Sequence, residues 1–173
     1  MTIDDRFATK LESIDEVPEP LRGALIDNFL SPESVRLLIH APAFLTSDHR
    51  SPATGPAVTP TLVTPATVLA LTSDGWLVAS ETEDGGTSVK KSDFDDTLLL
   101  ELTSILLSGQ LKIYFGAVGT SYSAIIDFDT VGEELYREAI DLILASIDRT
   151  SAIAAESSEF ADGWRHSTPI RAS

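Results

Sequence analysis

The stretch that decides the fold is residues 66–148, ATVLALTSDGWLVASETEDGGTSVKKSDFDDTLLLELTSILLSGQLKIYFGAVGTSYSAIIDFDTVGEELYREAIDLILASID. It reads as short β-rich runs divided by turn residues and closed by one amphipathic helix. Residues 66–73 and 76–82 flank Ser73-Asp74-Gly75. Glu83-Asp84-Gly85-Gly86 supplies the glycines that a tight hairpin needs at positive φ, and 87–91 is its partner strand. Further strands are expected at 97–104, 110–116 and 121–128, with turns at Ser108-Gly109 and Gly116–Gly119. Thr130-x-x-Glu133 has the form of a capping box. Behind it Leu135, Ala139, Leu142, Ile143 and Ile147 share one face of a helix over 131–148, and charged residues take the other.

Upstream, Phe7, Leu11 and Ile14 fall at helical spacing, as do Leu21, Leu25 and Phe29. Two helices, about 4–14 and 18–29, are expected, split by the prolines of 16–20. Residues 35–45 alternate Val35, Leu37, Ile39, Ala41 and Ala43 against Arg36 and His40, which favours a strand; a helix over 32–40 stays open. Residues 46–65 are dense in Pro, Ser, Thr and Gly and read as a long loop. Residues 149–173 read as a mobile polar tail with a helical start.

The 173-residue chain suffices for one domain with a core. Its net charge of −15 and pI near 4.3 repel polyanions, so neither nucleic acid nor an anionic membrane is an expected partner. The absence of cysteine excludes disulfides and thiol chemistry. The segment MTIDDRFATK has no apolar h-region, and no run approaches the roughly 20 apolar residues of a membrane span, so a cytoplasmic location is expected.

Seven strands followed by one terminal helix resemble a bacterial pleckstrin-homology-like (PH-like) domain. The residues that carry the resemblance are Val68–Val78 of the central hairpin, Leu102–Ile113 around the next turn, and the helix. The resemblance implies an α+β fold: a seven-stranded antiparallel β-barrel or sandwich over 31–148, capped by the C-terminal helix. A helical segment, 1–30, precedes it, and the 149–173 tail follows. Phosphoinositide-binding members use basic residues in the first inter-strand loop. Here that loop offers only His49 and Arg50 beside Asp48, so no lipid headgroup carries over with the fold.

Candidate chemistry is sparse. Asp93, Asp95 and Asp96, and Asp127 with Asp129, read as turn acids and a helix cap. His40, His49 and His166 have no metal-ligand spacing, and no nucleophile motif occurs. No enzyme activity, metal or cofactor is expected. Lys90 and Lys91 with Lys112 would form a basic spot if their strands neighbour. Trp76 is expected in the core. Phe160 and Trp164, isolated aromatics near the end of the chain, are candidate docking anchors. The reading that follows is a non-enzymatic interaction module for a protein, a peptide or a second copy. Phe160, Trp164, His49 and Arg50 are its candidate contacts. The alternative is a small-molecule or lipid-binding barrel, with an apolar cleft between its sheets or under the helix at 18–29.

Overall fold

The computed structural model describes residues 6–28, 35–47, 61–117 and 119–163, with side chains for all of these except 45–47, 61–63 and 150–163. In chain order the strands are β1 (Thr9–Lys10), β2 (Leu37–Ala41), β3 (Phe44–Ser47), β4 (Thr61–Thr64), β5 (Thr67–Leu71), β6 (Gly75–Glu81), β7 (Thr87–Asp93), β8 (Thr97–Ile105), β9 (Ser108–Phe115) and β10 (Tyr122–Asp129). Helix α1 is Leu21–Asn28 and helix α2 is Glu133–Gly163.

The fold is α+β, but it is not a closed barrel. Eight strands form two antiparallel sheets, ordered β1-β2-β5-β6-β7 and β10-β9-β8, and β3 with β4 makes a separate two-stranded ribbon. The five-stranded sheet is the middle layer of the molecule. Leu37, Ile39, Leu69, Leu71, Trp76 and Val78 face one way, toward Leu111, Ile113, Ile126 and Phe128 of the second sheet and Tyr136, Ala139 and Ile143 of α2. Leu38, Val68, Ala70, Leu77 and Ala79 face the other way, toward Leu11, Val17 and the α1 residues Leu21 and Leu25. Side chains alternate along each strand, so a sheet covered on both faces is apolar at nearly every position. That explains why β2 and β5 are buried throughout, and why His40, expected opposite the apolar residues, is buried too.

Four expectations are corrected. The segment about 4–14 is not a helix where it is described. Thr9–Lys10 pairs with His40–Ile39 at the edge of β2, and a 3-10 turn follows at Ile14–Glu16. Leu11 still reaches the core, and its amide donates to the Leu38 carbonyl, so tertiary pairing overrides the local period. The strand at 35–45 ends at Ala41 and resumes at Phe44, because Pro42 has no N–H to give a ladder. The loop at 46–65 is bounded by the β3–β4 ribbon, in which Ser47 opposes Thr61. Finally, α2 does not stop at 148 but continues to Gly163, 31 residues in all.

Candidate functional site

Three surface features bring together residue types that bind: two grooves and one exposed apolar corner. The first groove, of about 620 Å³, lies at the ends of β6, β7 and β9 and is lined by Trp76, Lys91, Asp93, Asp96, Phe115 and Tyr122. Its aromatic rings form a stair from core to surface. Trp76 is buried, its indole N–H donates to Thr97 Oγ1 at 2.9 Å, and its ring meets Phe115 edge-on at 4.9 Å. Phe115 in turn meets exposed Tyr122 at 5.8 Å. The second groove, about 580 Å³, runs beside α1 past Leu11, Ile14, Ile26, Val35 and Arg36. Neither is the interior cleft that the small-ligand reading requires. The space between the sheets and that beneath α1 are filled by side chains with almost no exposure.

The three lysines do not converge. Lys90 and Lys91 are on β7, Lys112 is on β9 in the other sheet, and Lys112 faces Glu101 across β8 and β9. Lys90 instead bridges the sheets, donating to the Ser123 carbonyl at 2.6 Å. Two of the acids have local partners. Asp127 accepts from Gln110 at 2.7 Å, and Asp129 accepts from the Val131 amide at 2.9 Å, capping the turn that opens α2. Thr130 does not make the expected box with Glu133. Its hydroxyl donates to the Leu106 carbonyl at 3.2 Å, and its amide to the Leu107 carbonyl at 3.3 Å. Glu133 accepts from Arg137, and this bond, then one with Ser104, holds its carboxyl below the usual carboxylate range. Among the described residues no group of three or more His, Asp or Glu is placed to hold a metal ion.

The exposed apolar corner is the feature that sequence reasoning missed. The turn between β8 and β9 is not at Ser108-Gly109, which already belong to β9, but at Leu106-Leu107. Leu106 is 91% exposed and Leu107 78%; Ile105 beside them and Val131 at the start of α2 are exposed as well. Leu106 also adopts φ +54, a left-handed conformation that costs a branched side chain on the order of 1–2 kcal/mol. The two bonds from Thr130 tie the backbone of this tip to the start of the helix. Along the same strand, a bulge between Thr97 and Leu99 leaves both Leu98 and Leu99 exposed. Strand β8 is an edge that pairs only with β9 among the described residues. A readable signal existed: ILL stands where a two-residue hairpin prefers Gly, Asn or Asp.

Of the residues singled out beforehand, His49, Arg50 and Trp164 lie outside the described residues, and Phe160 is on α2 with its side chain outside them. No family model matches the chain, and no curated protein or solved structure matches it either. No described helix is long and apolar enough to cross a membrane.

Proposed function

We propose that this protein is a non-enzymatic interaction module of PH-like architecture that binds another protein, a peptide or a second copy of itself. Two stacked antiparallel sheets with a C-terminal helix packed on them support the architectural part. The binding part rests on one observation, the exposed apolar knob Ile105–Leu107 with Val131. Soluble surfaces scatter single aliphatic residues, whereas a contiguous group of them marks a contact. The leucine-rich edge of β8, which pairs only with β9 among the described residues, runs into it. Natural sheets usually blunt such an edge with charge, proline or a cover.

A photo-cross-linking residue in place of Leu107 tests the reading, with the same residue in place of exposed Asp84 as control. Irradiation in cells should give a discrete adduct from position 107 alone. Equal labelling at both positions would sink the proposal. The small-molecule or lipid-binding alternative is supported only by the groove beside Trp76 and Tyr122. It requires a compound that copurifies in native mass spectra.

A further inference from the structure

We infer that the protein forms an antiparallel dimer in which segment 164–173 of each copy docks on the Ile105–Leu107 and Val131 knob of the other. This rests on the interaction-module reading and names its partner. The knob sits at the start of α2, joined to it through Thr130. The segment follows the end of the same helix. Thirty-one residues at 1.5 Å each put those ends about 45 Å apart. Among the α2 residues whose side chains are described, the last packed on the core is Ile147, and some 24 Å of helix follows it.

The two ends are chemically complementary. Next to the knob in the chain stand the carboxylates of Asp129, Glu133 and Glu134, and Arg137 pairs with Glu133. The segment WRHSTPIRAS carries Arg165 and Arg171 and no acidic side chain, in a chain of net charge −15. It also carries Trp164 and Ile170, an aromatic and an aliphatic group to cover exposed leucines.

Reach decides between one copy and two. The eight residues from Trp164 to Arg171 span at most about 29 Å fully extended, well short of the knob on their own chain. A second copy placed antiparallel about a two-fold axis solves both contacts at once, since one rotation brings each segment to the other's knob. Knob against knob would instead press two acidic stretches together.

Light scattering and sedimentation of the full chain should find a dimer. Leu106→Gly removes the knob's main side chain yet suits the positive φ, and Arg165→Glu with Arg171→Glu reverses the segment's charge. Each should weaken the dimer roughly tenfold or more, equivalent to about 1.4 kcal/mol. Mixing the two variants should restore association in part, because the mixed dimer keeps one intact contact and neither parent keeps any. Should a variant fail to fold, spin labels serve in the unaltered interface. The chain has no cysteine, so one label at residue 103 on one copy and one at residue 167 on another are easily placed. Dipolar coupling between them is expected in the mixture. A chain that stays monomeric, a dimer indifferent to both variants, or labels without coupling would overturn the inference. A monomer that still cross-links a different protein from position 107 would leave the interaction-module reading standing while this dimer falls.

Discussion

Tyr136 stacks on Phe128 with ring centroids 4.1 Å apart, and its hydroxyl is buried without a hydrogen-bond partner among the described residues. An unmade buried bond costs about 1–3 kcal/mol, so Tyr136→Phe should raise the urea midpoint, with a gain of about 1 kcal/mol. Burial also pushes the phenol's pKa up. The unfolded chain then loses that proton first, near the ordinary phenol pKa of about 10, and stability falls as pH rises above it. The gap between Tyr136→Phe and the parent should therefore widen above that pH. A constant gap would mean the hydroxyl is solvated. Gly109 lies under the same ring, and a Cβ there would collide with Phe128. Gly109→Ala should cost roughly 1–3 kcal/mol, read by thermal melting. At this scale the sequence was partly legible. Trp76 is in the core as its position after a turn suggested, because a large apolar ring on a central strand has nowhere else to go. Thr130 was not legible, because its acceptor, Leu106, lies 24 residues away. Val131 and the leucine knob escaped for a related reason: composition marks apolar residues as core until topology places them outside.

Helix α2 packs the face it was expected to pack, but the centre of that face is shifted. Tyr136, Ala139 and Ile143 are fully buried, whereas Leu135, Leu142 and Ile147 are only partly covered. Ile143→Ala should thus cost about 2–5 kcal/mol and Leu142→Ala distinctly less, and equal losses would place the helix differently. The 3.6-residue period identified the stripe but could not rank its edges, because the flanking sheets decide which edge they touch. The same logic governs the strands. The six expected over 66–128 all exist, since turn residues punctuate them clearly. Strands β1 and β4 were missed, and β3 was merged with β2. Their pairing is non-local or proline-flanked, and two residues such as Thr9–Lys10 become a strand only because β2 has an open edge beside them. At the β8–β9 turn, Leu106→Gly relieves a conformation that only glycine adopts freely. At a dilution where the chain is monomeric it should leave the melting temperature unchanged or raise it, by up to about 1 kcal/mol in stability.

The whole molecule carries −15, and the ion pairs seen among the described residues are worth little. Lys10 with Glu138, Arg22 with Glu19 and Arg137 with Glu133 are all at least partly exposed. Exposed pairs contribute at most about 1 kcal/mol each, and long-range repulsion is screened as the Debye length shortens to about 8 Å at physiological salt. Binding to vesicles of phosphatidylserine or phosphoinositides should therefore be absent in a sedimentation assay at any salt concentration near neutral pH. Headgroup-selective sedimentation would overturn the charge argument. The open architecture was less legible than the strand order, since closure depends on which edges meet, and one lysine, Lys90, spans the gap between β7 and β10 instead of a ladder. The β3–β4 ribbon has a further consequence. Ala41 and Thr67, which bracket it, are direct partners across β2 and β5, so the chain leaves the sheet and returns to the same place. The ribbon is in effect a plug-in between two positions that already touch. A short Asn-Gly turn could splice Ala41 to Thr67 directly, and the spliced protein should still unfold in one cooperative step. That junction is a natural port for grafting a foreign loop or a sensor domain without rewiring the sheet.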